Sequence, residues 1–268
     1  MKKAACGLMN ARKPPPMFAE ADLSRDAFLC GRLHLWQPIK GYRAATDPVL
    51  LAAACPAKPG DSVLDLGCGA GAAALCLATR VLGLSLHGLE LQEAYAALAR
   101  RNGAENGIPF QVETGDLAAM PKALRRDFDQ VIANPPYYPA AGSPSPQAHR
   151  DTALRAETPI AAWVQAASRR LRPGGWLTLI AGVDSLPETL AALSPGLGSA
   201  AILPLAPREG RPALRFLLRA RKTGRGAFRL LPPFILHQGP AHDGDRESYT
   251  PRANAVLREA AELSAEFR

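Results

Sequence analysis

No stretch of this 268-residue chain approaches the roughly 20 consecutive apolar residues of a membrane-spanning helix. The basic start Met1-Lys2-Lys3 is followed by an apolar run that stops at Asn10, too short for a secretory core of roughly 7–15 residues. Cysteine is scarce and unpatterned. Cys6, Cys30, Cys55, Cys68 and Cys76 are odd in number and contain no Cys-x-x-Cys pair. That excludes a disulfide framework and a zinc knuckle, and points to a reducing, cytoplasmic setting in which the thiols act as small apolar packers. Neither a membrane nor a metal is expected as a partner. Aromatic residues make up only 6% of the chain, so binding by an extended aromatic platform is not expected.

Acidic residues are also short, 24 against 32 Lys and Arg, for a net charge of +8. The imbalance is local. Residues 1–45 carry eight basic and three acidic side chains, and residues 205–229 carry eight and one. The stretches 46–204 and 230–268 are slightly acidic. Charge confined to two segments points to a polyanion more than an even excess does, although a solvated Arg-rich surface would look the same.

The 47% hydrophobic content is that of a globular chain, and the length suits one large domain with an appendage. Residues 1–25, with Pro14-Pro15-Pro16, read as a flexible basic tail. Residues 26–60 read as an extension holding a strand or hairpin up to Trp36 and a helix opened by Asp47-Pro48, with Asp47 as its cap. The main domain, 61–268, alternates strand and helix. Strands are expected at 63–66, 86–91, 110–113, 128–133, 176–181, 201–205 and 214–221. Helices are expected at 72–82, 93–106, 117–124, 159–171 and 186–193, and a loop at 139–150. This predicts an α/β fold with a mostly parallel, seven-stranded sheet covered on both faces. Ligands of such sheets bind beyond the carboxyl ends of the strands.

The motifs fall at those ends. Asp65-Leu66-Gly67-Cys68-Gly69-Ala70-Gly71 follows the first main-domain strand, where glycine permits a sharp turn and close backbone approach. Gly67-x-Gly69-x-x-Ala72 also matches a dinucleotide fingerprint, and Glu90, at the end of the next strand, can accept from two ribose hydroxyls in either class. Asp65 favours S-adenosylmethionine (SAM): a pyrophosphate would meet an unhelpful negative charge there, whereas SAM presents an ammonium. Asp116, after the third strand, can read an adenine amino group. Leu91 and Leu117, next to the two acids, complete this part of the expected cofactor set.

Asn134-Pro135-Pro136-Tyr137 follows the fourth strand. The Asn134 side-chain oxygen and the Pro135 carbonyl can accept the two hydrogens of a planar amino group and aim its lone pair at a sulfonium methyl. The prolines hold these acceptors in place, and Tyr137 can stack on the acceptor. Asn134, Pro135 and Tyr137 are therefore the expected catalytic residues, with Asn134 also beside the cofactor.

On these motifs residues 62–181 resemble the Rossmann-like class I SAM-dependent methyltransferases of the amino-methylating branch. The segment Trp36-Gln37-Pro38-x-x-Gly41-Tyr42-Arg43 through Asp47-x-x-Leu50-Leu51, with Leu230-Leu231-Pro232, Leu236-His237 and Tyr249-Thr250-Pro251, is similar to the bacterial tRNA (valine) adenine-N6 methyltransferase family. The resemblance implies SAM as cofactor and an RNA partner, a tRNA methylated near its anticodon. It also implies that Tyr42, Arg43, Thr46 and Asp47 lie over the methionine part of SAM. Arg215, Arg219 and Arg221 alternate along an expected strand and so share a face. With Lys222 and Arg225 they form a candidate RNA-binding strip beside the catalytic mouth. Other readings stay open: ribosomal RNA guanine-N2 methylation, protein glutamine-N5 methylation, a non-catalytic RNA-binding module and, on the glycine loop alone, a nicotinamide oxidoreductase.

Overall fold

The computed structural model describes residues 17–136, 158–239 and 248–268. It begins with an antiparallel hairpin, β1 (Leu23–Phe28) and β2 (Leu33–Pro38). Then come α1 (Thr46–Ala54), β3 (Ser62–Leu66), α2 (Ala72–Arg80), β4 (Ser85–Glu90), α3 (Glu93–Glu105), β5 (Phe110–Thr114) and β6 (Phe128–Ala133). The second half contains α4 (Ile160–Arg170), β7 (Leu171–Gly182), α5 (Leu186–Leu193), β8 (Leu197–Ala206) and β9 (Arg215–Lys222). Two-residue strands β10 (Arg229–Leu230) and β11 (Phe234–Ile235) precede α6 (Pro251–Glu259).

The seven long strands β3–β9 form one sheet, ordered β8-β9-β7-β6-β3-β4-β5, and β10 and β11 add short pairings to β8. Strands β3 to β7 run parallel, and β9 runs antiparallel between β7 and β8. Strand succession reverses at β3, which lies between β4 and β6, so the crevice for a ligand opens at the carboxyl ends of these strands.

Side-chain alternation sorts the core onto the two faces. Val63, Leu86 and Ile132 pack with the hairpin, α1, α2 and α6. Leu64, Leu89 and Val131 pack with α4 on the other face. Three cysteines are core members, and burial raises their thiols, to about 11 for Cys55 and about 12 for Cys76, with Cys68 pushed well above its ordinary range. Burial keeps these thiols protonated, in keeping with the packing role expected of them. Cys30 is exposed, and Cys6 lies outside the described residues. No helix among the described residues is long and apolar enough to cross a membrane. Among the same residues, no group of three or more His, Cys, Asp or Glu side chains could hold a metal ion.

Several boundaries move. The expected tail is partly built into the fold: Phe18 packs edge-on against Tyr95 at 5.1 Å, Glu20 pairs with Arg101, and β1 begins at Leu23. Residues 1–16 and the loop expected at 139–150 lie outside the described residues. The expected helix at 117–124 shrinks to a single 3-10 turn, Lys122–Leu124. Pro121 has no backbone N–H to continue a helix and packs on Gly115 instead. Helix α1 starts at Thr46 after Ala45, whose position supplies no side-chain cap, and Asp47 lies inside its first turn. Helix α6 was not anticipated, although Thr250-Pro251 signals it: Thr250 Oγ1 accepts from Ala253 N and Pro251 occupies the first turn.

The hairpin is tied to α3 by two asparagines that imitate a neighbouring strand. Asn102 accepts from Trp36 N (2.8 Å) and donates to Trp36 O (3.1 Å). Asn106 does the same for His34, at 3.0 and 2.7 Å. Four residues of helix advance about 6 Å and two residues of strand about 6.8 Å, so the two amides match alternate peptide units. Asn102 also donates to Ala70 O in the glycine loop (2.9 Å), joining hairpin, helix and loop at one buried side chain. Replacing it leaves buried backbone groups unpaired. Asn102→Ala is predicted to cost about 2–3 kcal/mol in urea unfolding, more than the loss of a single hydrogen bond; a change within about 0.5 kcal/mol would show that the hairpin is held by its apolar contacts alone.

Candidate active site

A cavity of about 420 Å³ opens at the carboxyl ends of β3, β4, β5 and β6. Its floor is the glycine loop after β3. Gly67, Gly69 and Gly71 have φ of 67°, 56° and 89°, the left-handed region that glycine enters without steric cost. Gly67 has a second reason: a Cβ there would lie 2.5 Å from the ring of Trp163 on α4. The loop is held by Glu90, whose Oε2 accepts from Gly69 N (2.9 Å) while Oε1 accepts from Gln92 N (2.9 Å).

Asp65, the penultimate residue of β3, lies beside it and is 2% exposed; Glu90 is 3% exposed. Asp65 Oδ2 accepts from Ala74 N at 3.2 Å, one hydrogen bond for a buried carboxylate. Burial, joined by the negative charge of Glu90, raises Asp65 to about 8 against the stabilising Ala74 bond. A cation suits such a place and a further anion does not, which argues against a pyrophosphate at this loop. Asp116 is exposed at the end of β5, with Oδ1 accepting from Ala118 N (2.8 Å). Leu91, 46% exposed, and Leu117 line the same wall. A buried acid for a cation, a strand-end glutamate for hydroxyls and an outer aspartate for an amino group fit SAM.

The opposite wall is Asn134, Pro135 and Pro136 after β6. Asn134 Nδ2 donates to Tyr42 Oη at 3.3 Å. Tyr42 is itself gripped through its backbone: its N–H donates to Tyr95 Oη (3.0 Å), and that hydroxyl donates back to Tyr42 O (3.2 Å). Tyr95 is 2% exposed on α3, so a buried residue fixes an exposed one over the cavity.

Of the expected cofactor residues, Tyr42, Asp47, Asp65, Gly67, Glu90, Leu91, Asp116, Leu117 and Asn134 line the cavity, as does Pro135. Gly69 lies behind it as the partner of Glu90. Arg43 and Thr46 are not in the lining. The Arg43 guanidinium turns into the hairpin, pairing with Asp26 at 2.6 Å and donating to Ser24 Oγ and Pro38 O. Tyr137 lies outside the described residues. Sequence reading missed Trp163, Tyr95 and Gln37. Gln37 stands in a quoted motif, and it sets the segment before α1 by accepting from Ala44 N (2.7 Å) and donating to Asp26 (2.7 Å). The other two carry no local signal.

The arginine strip is corrected. Arg215 lies at the cavity end of β9 and is ion-paired with Asp47. Arg219 is 7% exposed, its Nε donating to Ala54 O and its guanidinium 4.0 Å over the Phe267 ring. It cannot reach a phosphate backbone. Because β9 runs antiparallel to β7, Arg215 pairs with Gly182 at the cavity end, while Arg221 pairs with Trp176 toward the far end. Arg221, Lys222 and Arg225 therefore lie away from the mouth.

A family model described as "Methyltransferase small domain" matches residues 45–188. A tRNA1(Val) (adenine(37)-N6)-methyltransferase of Dickeya chrysanthemi is 29% identical over 190 residues, covering 68% of this chain and 74% of that protein. One of a Shewanella species is 31% identical over 173 residues, covering 63% and 72%. A release factor glutamine methyltransferase of Geobacter sulfurreducens is 32% identical over 146 residues, covering 50% and 49%. Among solved structures, a predicted O-methyltransferase of Agrobacterium tumefaciens superposes with a TM-score of 0.65 at 27% identity, covering 81% of this chain and 98% of that one.

The raised Asp65 carries a stability cost with a defined pH window. The folded protein holds this proton more tightly than the unfolded chain, so the contribution is complete below about pH 4 and is lost as pH rises toward about 8. Asp65→Asn keeps an acceptor for Ala74 N and removes the titration. It is predicted to stabilise the protein by on the order of 5 kcal/mol at pH 8, with the gain shrinking toward pH 4. Denaturation curves at both pH values check this, and a pH-independent difference would contradict it.

Proposed function

From the premise that this chain belongs to the methyltransferase small domain family and is a SAM-dependent methyltransferase, we propose that it methylates the N6 amino group of an adenine in RNA, a transfer RNA. The cofactor, when bound, supplies an electrophilic sulfonium methyl. Of the residues lining the cavity, Asp65 would hold its ammonium, Glu90 its ribose hydroxyls and Asp116 its adenine amino group, with Leu91 and Leu117 as the apolar wall for the base.

The observation that carries the acceptor reading is the hydrogen bond from Asn134 Nδ2 to Tyr42 Oη. With the amide nitrogen committed there, Oδ1 is the end left to accept a substrate amino hydrogen. The Pro135 carbonyl accepts the second. Two acceptors on one amino group draw its lone pair out of conjugation and orient it toward the methyl, so the work is positioning and electrostatics. The proton leaves after transfer, from a nitrogen made acidic by alkylation. The Tyr42 ring, 44% exposed at the mouth, offers a face to a splayed base. Support for adenine in tRNA comes from the relatives named for that reaction.

A second reading, glutamine-N5 methylation, is favoured by the Geobacter relative and uses the same two acceptors on an amide nitrogen. Incubation with methyl-labelled SAM, total RNA and total protein separates the two. Label is predicted in RNA and, after digestion, in N6-methyladenosine; label in protein glutamine or in N2-methylguanosine would overturn the assignment.

Asn134→Ala is predicted to lower kcat on the order of 100-fold with SAM affinity by calorimetry unchanged. Tyr42→Phe keeps the ring and frees the amide to flip, for a loss of about fivefold in kcat. Unaltered turnover in the first variant would remove the proposed acceptor.

A further inference from the structure

The cations that the antiparallel turn of β9 carries away from the mouth join others there. Arg221 lies at the far end of β9, and Arg225 in the turn that follows. Neighbouring β7 is entered from the end of α4, which supplies exposed Arg169. Strand β6, next again, is preceded by exposed Arg125. Neighbouring strands, about 5 Å apart, thus bring these groups toward the amino-terminal end of the parallel strands, the edge opposite the cavity. Six residues separate Arg215 from Arg221, so the edge is about 20 Å from the cavity end of β9.

The presentation is built. The turn holding Arg221 and Arg225 is closed by Gly224 N to Arg221 O (3.0 Å) and Gly226 N to Ser199 Oγ (2.8 Å). A Cβ on Gly198 would meet Gly224 O at 2.2 Å, so glycine is required for the turn to dock. Arg221 donates Nε to Gly174 O (3.0 Å) and lies 5.7 Å over the Trp176 ring, its guanidinium still exposed. The acids along the edge are Asp61, Asp127 and Asp129, and Asp129 is paired with Arg172. The excess of planar guanidinium groups matches phosphate oxygens.

We propose that this edge is a second phosphate-backbone contact for the RNA substrate, away from the catalytic mouth. The inference rests on the RNA reading above. It makes the enzyme sensitive to substrate length: an RNA that fills the mouth and also extends about 20 Å along the sheet engages both surfaces, and a short stem-loop engages the mouth alone.

The test uses Arg169→Glu/Arg221→Glu/Arg225→Glu in the full chain, with bulk bacterial tRNA and a synthetic stem-loop carrying the nucleotide that the wild type labels. The variant is expected to bind SAM normally and to methylate the stem-loop at wild-type rate. It should bind tRNA about tenfold more weakly at low salt, with a log–log salt slope shallower by about two to three. Equal tRNA affinity and slope in variant and wild type would overturn the proposal and leave the RNA reading standing. If the wild type labels no RNA, that reading fails and the second contact falls with it. If charge reversal impairs SAM binding, the Arg→Gln triple variant replaces it, and the same comparison decides.

Discussion

Two carboxylates buried at adjacent strand ends organise this molecule. Asp65 and Glu90 are nearly inaccessible, 2% and 3% exposed. Glu90 is satisfied by the backbone N–H groups of Gly69 and Gln92, so it fixes the glycine loop. Asp65 has less support, and it is driven toward its neutral form by burial and by its neighbour. An unbound site of this kind is strained electrostatically, and a cationic ligand relieves the strain. Binding and stability therefore oppose each other at one residue, a common arrangement in functional sites.

The second constraint runs from the hairpin to the acceptor wall. Asn102 and Asn106 hold β2 on α3, and Tyr95 of α3 holds Tyr42 by two hydrogen bonds. Tyr42 then meets Asn134 across the cavity. The N-terminal extension thus closes the site, setting one wall against residues nearly a hundred positions later. The Arg215–Asp47 pair ties α1 to β9 at the same rim.

Much of this was legible in sequence because it is local. Strand and helix periods, the three glycines and the acids at strand ends are each set by neighbours in the chain, and apart from the helix expected at 117–124 and the unforeseen α6 they appear where they were expected. What failed depends on contacts remote in sequence. Alternation correctly put Arg215, Arg219 and Arg221 on one face, but nothing in β9 itself says that Phe267 and α1 cover Arg219, or that the strand runs backward relative to β7. Asp47 carries a helix-cap signal that its pairing with Arg215 overrides. Trp163 and Tyr95 lie in ordinary amphipathic helices, and their roles arise from a glycine and a backbone amide far away.

The dependence of the site on an uncompensated Asp65 is open to one direct measurement: SAM affinity by calorimetry across pH 5 to 9 for the wild type and Asp65→Asn, pH values chosen to bracket the raised group at about 8. Binding a cation requires the ionised acid, so wild-type affinity is predicted to rise with pH and level off near 8, while the variant binds weakly with a flatter profile. Parallel profiles in the two proteins would contradict the account.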